Sequence, residues 1–180
     1  MEVSRIRALR GPNLWSRHTA IEAIVSCTAP ECEIADPVGL EARLRALFPT
    51  IGVLRTAAPG VPVSLAHLLE AAALALQAQA GCPVTFSRTS ATVDPGVFQV
   101  VVEYSEEEVG RLAFDLAREL IDAALHARGF DVDAAITRLR ETDEDVRLGP
   151  STGAIVDAAL ARNIPYRRLT QGSMVQFGWG

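Results

Sequence analysis

An α+β fold, with a small antiparallel sheet packed against helices and a C-terminal helix-strand extension, is the architecture that the sequence predicts. Three observations lead there. Strand-like and helix-like segments follow one another without the strict alternation that a parallel sheet and its crossovers require. Val109, Leu112, Ala113, Leu116, Ala117, Leu120, Ile121, Ala124 and Leu125 recur at three- and four-residue spacing, the stripe of one long helix laid on a core. Residues 97–104 form a near-continuous β-branched and aromatic run of strand length.

Taken in order, residues 3–9 read as a strand ended by the turn cluster Gly11-Pro12-Asn13, and residues 20–27 as a second strand paired antiparallel with it through a long connection. Residues 30–37 are acidic, proline-punctuated loop. Asp36 and Pro37 then open a helix over residues 38–48, and residues 49–62 are loop with a short strand near Val53. Ser64 caps the next helix, whose stripe is Leu65, Leu68, Leu69, Ala72, Ala73 and Leu76, and Gly81 stops it. Residues 84–88 read as a strand, separated from the run at 97–104 by the turn Asp94-Pro95-Gly96.

The long helix begins with Ser105 and Glu108 as a capping box and stops at Gly129. Asp131 caps a fourth helix over residues 132–141, which leads into the acidic Asp143-Glu144-Asp145. Residues 148–152 read as a linker ending in a Ser151/Thr152 cap, followed by a helix over 153–162, a stop at Asn163 and a strand over 166–169. Residues 1–147 and 148–180 are therefore read as two units.

The chain has 180 residues, 49% hydrophobic and 22% charged, with a net charge of −5. That is enough apolar material to bury a core, which excludes intrinsic disorder. The most apolar stretch, residues 65–76, carries His67 and Glu70 and is too short to span a bilayer. The charged-apolar alternation of the first seven residues is not that of a secretory signal, so the expected compartment is the cytoplasm, without a membrane partner. Every basic residue is arginine. The planar guanidinium fork suits carboxylate or phosphate, and a GC-rich coding bias is the plainer source of the same enrichment. The negative balance argues against nucleic acid as a partner. Cys27, Cys32 and Cys82 are an odd number with no histidine or second cysteine pair beside them, so free thiols are expected, with no metal bound.

Four strings carry a likeness: Leu9-Arg10-Gly11-Pro12-Asn13-Leu14-Trp15-Ser16, Thr85-Phe86-Ser87-Arg88-Thr89, residues 95–104 (PGVFQVVVEY), and Leu148-Gly149-Pro150-Ser151-Thr152. Together with the closing Gln176-Phe177-Gly178-Trp179-Gly180 they resemble the N-terminal region of cyanophycin synthetases, in order from Arg5 to the last residue. The resemblance implies a role beside an ATP-dependent ligase that polymerises aspartate and arginine into cyanophycin, a nitrogen store with a polyaspartate backbone and arginine on each side chain. It implies ATP and magnesium for the full-length parent, used in downstream ATP-grasp and Mur-ligase-like domains, and no cofactor for this chain. Residues 148–180 look like the incomplete start of the ATP-grasp domain, so a fragment is expected, drawn from a parent that forms homo-oligomers. The N-terminal domain of the family holds the growing polymer.

Some members also cut cyanophycin to make primers and resemble zinc enzymes, with an H-x-x-E-H helix and cysteines in the loop before it. The matching helix here reads His67-Leu68-Leu69-Glu70-Ala71, with alanine at the second histidine position, and residues 55–62 contain no cysteine. His67 and Glu70 are one turn apart and able to touch one ion on the face away from the leucines. A catalytic zinc takes three protein ligands, so they are read as vestigial, with no catalytic residue in the chain; a zinc-dependent cutting hydrolase stays as the alternative. A third alternative is a structural interface for the downstream domains or for an oligomer.

Polymer binding requires groups for alternating carboxylates and guanidiniums. Arg10, Arg88 and Arg111 suit the carboxylates, and Glu103 and Glu107, with Glu106 and Glu108, suit the guanidiniums. The strand-end cluster Arg88, Thr89, Glu103 and Tyr104 is the leading candidate, expected to be held by the sheet and to reach solvent. The glutamates also suit the macrodipole at the start of the long helix, and Trp15, Phe86, Phe98, Tyr104, Phe177 and Trp179 are most simply packing residues.

Overall fold

A computed structural model describes residues 1–28, 34, 36–54, 63–170 and 172–178 of the chain. Cys32, residues 55–62, Trp179 and Gly180 lie outside the described residues, and with them the loop expected at 55–62.

Six strands and five helices follow one another as β1 (Glu2–Leu9), β2 (Ala20–Ser26), α1 (Pro37–Leu47), α2 (Leu65–Ala80), β3 (Ser87–Ala91), β4 (Val97–Glu103), α3 (Glu107–Leu125), α4 (Val132–Val146), α5 (Pro150–Leu160), β5 (Tyr166–Arg168) and β6 (Val175–Phe177). The fold is α+β. The first four strands make one antiparallel sheet in the order β1-β2-β4-β3, and β5 and β6 make a separate antiparallel pair. Ile21, Ala23 and Val25 of β2 and Val100 and Val102 of β4 point to one face and join Leu68, Leu69, Phe114, Leu120 and Leu139 in the core. Their neighbours Glu22, Ile24, Gln99, Val101 and Glu103 point to the other face, as the two-residue period of a strand requires. Helix α2 is buried nearly all round because it packs on the sheet, on α3 and on α4 at once.

Several boundaries differ from the sequence reading, each for a local reason. Residues 51–54 form no strand. Strand β3 starts at Ser87 rather than 84, because the Glu103 carboxylate accepts from the backbone N–H of Thr85 at 2.7 Å and of Phe86 at 2.8 Å before they can join the ladder. The Ser105/Glu108 capping box does not form. Helix α3 begins one residue later, with Glu106 at its N-cap and no side-chain cap, while the Ser105 hydroxyl is turned inward. It ends at Leu125, before Ala127 at φ +50° and well before Gly129.

Helix α4 runs on through the acidic segment to Val146. Ile136 and Leu139 bury its inner face, and Arg140 donates to the carbonyls of Gln79 and Ala80 at the C-terminus of α2. Gly149, not Ser151 or Thr152, caps α5, with Pro150 in the first turn, where a missing N–H costs nothing. Asn163 supplies the left-handed residue, at φ +58°, just past that helix. Asp131 caps α4 as expected, accepting from the Ala134 N–H at 2.9 Å. Asp131→Ala is expected to lower stability by about 1 kcal/mol, measurable as a shifted midpoint in urea with an unchanged m-value.

No helix among the described residues is long and apolar enough to cross a membrane.

Candidate functional site

Two of the strings singled out in the sequence come together at one end of the sheet, where Leu9 of β1 and Glu103 of β4 flank Ala20 of β2. The chain leaves β4 through Tyr104 and Ser105 into α3, and leaves β1 through Arg10 into the loop at 11–18. The Tyr104 N–H donates to the Thr19 carbonyl at 3.2 Å and the Thr19 hydroxyl donates to the Tyr104 carbonyl at 2.6 Å, which locks the two exits together.

The first turn of α3 therefore faces Arg10. Glu107 is forked between two arginines, accepting from Arg10 Nε at 2.8 Å and from Arg111 Nε at 3.0 Å, one helical turn on. Burial pushes the Glu107 carboxyl up, but the hydrogen bonds from Arg10 and Arg111 outweigh it and hold the group below its ordinary value of 4.5. The hydrogen bond and the charge of Glu107 raise the Arg10 guanidinium in turn. The Tyr104 phenol, 5% exposed, is pushed up by burial and by the nearby Glu107 charge. Glu106 points the other way. It pairs at 2.8 Å with Arg168 of the C-terminal strand pair, and the same Arg168 nitrogen donates to the Val146 carbonyl at 2.6 Å. Burial raises the Glu106 carboxyl, and Arg168 opposes the rise.

A cleft of about 690 Å³ lies between these groups and the segment 166–170 around β5. Its charged lining is Arg10, Arg111, Arg167 and Arg168 against Glu106, Glu107, Glu108 and Asp145, four of each sign. A smaller hollow of about 530 Å³ shares Arg10, Arg167, Arg168 and Leu169 with it.

Of the expected polymer-binding residues, the structure thus brings Arg10, Tyr104, Glu107 and Arg111 together. It separates them from Arg88 and Thr89. Arg88 is exposed on the face of the sheet that no helix covers, whereas Thr89 points toward α2 with its hydroxyl buried and unpartnered among the described residues. The expectation that the strand-end cluster reaches solvent holds for Arg88 and fails for Glu103. Glu103 is 5% exposed: one carboxylate oxygen takes the two backbone N–H groups of the β3 approach and the other lies 3.2 Å from His18 Nδ1.

His67 and Glu70 are also buried, against the sheet rather than on a free face. His67 Nδ1 lies 2.8 Å from the Ser64 hydroxyl with the ring edge-on to Phe98, and Glu70 accepts from the Ser87 hydroxyl at 2.8 Å. Burial holds the imidazole below its ordinary value, with Glu70 opposing. Among the described residues no three His, Cys, Asp or Glu side chains are grouped to hold a metal ion.

The profile of a family described as the cyanophycin synthase-like N-terminal domain matches residues 31–126, more than half of the chain. The chain belongs to that family. Over its whole length it is 33% identical to the cyanophycin synthetases of Trichormus variabilis and of a Nostoc species, and 32% identical to that of Geminocystis herdmanii; it spans 22% of the length of each. The profile of the cyanophycin synthase-like N-terminal domain takes in α1, α2, the β3–β4 hairpin and α3, the elements that carry Tyr104, Glu107 and Arg111.

Sequence reasoning missed two features, one at the cleft and one on the uncovered face of the sheet. Arg167 and Arg168 come from β5, and only the tertiary contact places them at the cleft. Glu22, 3% exposed, accepts from Arg7, Trp15 and Gln99 on the uncovered sheet face. A signal for Glu22 was available: it is the one charge in the strand, with apolar residues on both sides of it from 20 to 25.

Proposed function

We propose that this chain is the N-terminal, polymer-holding part of a cyanophycin synthetase, the ATP-dependent ligase that joins aspartate and arginine, and that it positions the polymer for downstream ligase centres without catalysing a step itself. The carrying observation is the cleft at the start of α3, where Arg10, Glu107 and Arg111 converge in a lining with equal numbers of both charges. Each unit of the polymer offers one carboxylate and one guanidinium. Arginine forks receive the first and glutamates the second, and the existing ion pairs exchange partners on binding instead of exposing unpaired charge. A nucleic-acid surface would instead carry an excess of positive charge.

The engagement of His67 with Ser64 and of Glu70 with Ser87 supports a packing role for the pair rather than the hydrolytic alternative, because each already has a protein partner.

Co-sedimentation with insoluble cyanophycin tests the proposal. The folded chain is expected to pellet with the polymer, and Arg10→Gln with Arg111→Gln is expected to reduce the bound fraction roughly tenfold, for two charge-assisted contacts of modest, partly exposed worth. A folded chain that stays in solution would overturn the proposal and favour a structural interface for the rest of the protein.

A further inference from the structure

The sheet face left uncovered by helices carries a second cluster that the cleft does not use. Arg7, Glu22, Val101 and Arg88 form one row across it, one residue from each of the four strands. Glu22 is buried beneath the loop at 11–18 and receives Arg7, the Trp15 indole N–H at 3.2 Å and the Gln99 amide. Asn13 fixes that loop from within: its Oδ1 accepts from the backbone N–H of Trp15 at 2.9 Å and of Ser16 at 3.1 Å, and its Nδ2 donates to the carbonyls of Gly11 and His18. Trp15 is thus held through both its backbone and its ring.

Arg88 lies over that ring, 5.7 Å from its centroid, with Nε donating to the Ser90 hydroxyl at 3.2 Å. Among the described residues it forms no ion pair with a carboxylate, and Glu22, the nearest acid in its row, is already neutralised by Arg7. A guanidinium stacked on an indole keeps its plane and presents its edge, and the four terminal N–H groups of Arg88 remain for a two-point contact.

We propose that Arg88 on Trp15 is a carboxylate-binding subsite, distinct from the cleft, and that it takes the free carboxylate carried by each arginine of an aspartate-arginine polymer. The inference rests on the polymer-holding reading for the identity of the ligand. Arg10 follows the strand at one edge of the sheet and Arg88 sits on the strand at the other, three strand spacings across and three residues along, about 17 Å in all. About five to six residues of extended backbone cover that distance, so one polymer chain can occupy both places and gain from their linkage.

The protein supplies its own reporter. It has two tryptophans, so Trp179→Phe leaves Trp15 as the sole indole, at the proposed subsite and away from the cleft. Titrated with soluble short-chain aspartate-arginine polymer, Trp15 emission is expected to change saturably. Arg88→Gln is expected to weaken binding about five- to tenfold without changing the melting temperature, and Arg88→Lys to restore only part of it, since it keeps the charge but loses the fork. If the polymer binds while Trp15 emission stays flat and Arg88→Gln binds as tightly as the parent, the subsite is wrong and the polymer-holding reading stands. If the polymer does not bind at all, that reading fails. A titration with polyaspartate then decides the subsite separately: a Trp15 response lost in Arg88→Gln supports a carboxylate site, and no response overturns it.

Discussion

Glu103→Ala is expected to lower the stability of the domain by about 3 kcal/mol, which for a chain of this size is a fall of roughly 6–12 °C in melting temperature. The carboxylate sits at the end of β4, is almost wholly buried, and accepts from the N–H groups of Thr85 and Phe86 on the approach to β3. Removing it strips both part-buried donors of their acceptor, and a donor left unsatisfied costs more than the net worth of the bond it made. Glu103→Gln keeps the shape and the one oxygen that takes both backbone donors, with its amide turned toward His18 Nδ1, so a smaller loss is expected. Thermal unfolding followed by circular dichroism measures both. If Glu103 instead served to contact polymer, both variants would melt like the parent and differ in binding; that result would contradict the structural assignment.

The second large effect is expected at Gly110. It lies in the first turns of α3 where the helix comes down on the sheet, and a Cβ there would stand 2.7 Å from the Tyr104 Cβ and 3.1 Å from Ile21 Cγ1. Neither neighbour is a loose side-chain end. Tyr104 is fixed through its backbone bonds to Thr19, and Ile21 is in the core strand. Alanine would gain about 1 kcal/mol of helix propensity and lose more to the clash, for a net cost of about 1 kcal/mol. Gly110→Val, with two further methyl groups in the same space, is expected to cost about 3 kcal/mol. Urea denaturation of the two variants checks the order: valine well below alanine, alanine below the parent. The same displacement moves Glu107 relative to Arg10, so polymer binding should weaken in proportion to the loss of packing rather than independently of it.

The parts of the fold legible in the sequence were those set by periodicity. The stripes of α2 and α3, the β-branched run of β4 and the Asp131 cap are short-range signals, and they appear where the spacing places them. The misplaced boundaries share a different cause. At β3 a side chain from another strand took the backbone donors, and at the start of α3 the Ser105 hydroxyl turned inward, so the capping box lost to tertiary contacts. The site divided in the same way. Arg111 stands four residues from both Glu107 and Asp115, so helical spacing alone suits either partner; the structure pairs it with Glu107 and gives Asp115 to Arg118. Arg88 and Thr89 are adjacent in sequence but on opposite faces of a strand, a consequence of the strand period that a grouping by proximity overlooks. The partnership of Trp15 with Glu22 and Arg88 joins three separate segments, and no local pattern carries it.

The strand order β1-β2-β4-β3 bears on how the protein is made. β2 finds its central partner only when β4 arrives, with α1, α2 and β3 lying between them in the chain. During synthesis, at about 5–20 residues per second, the β1–β2 pair waits several seconds with one edge open, and an apolar open edge invites pairing with another nascent chain. Glu22 stands in the middle of that edge strand. Paired with Arg7 across the β1–β2 ladder, it sets a charged pair into the ribbon and so discourages strand-to-strand association between copies until β4 arrives; the residue that later anchors Trp15 first helps guard an unfinished sheet.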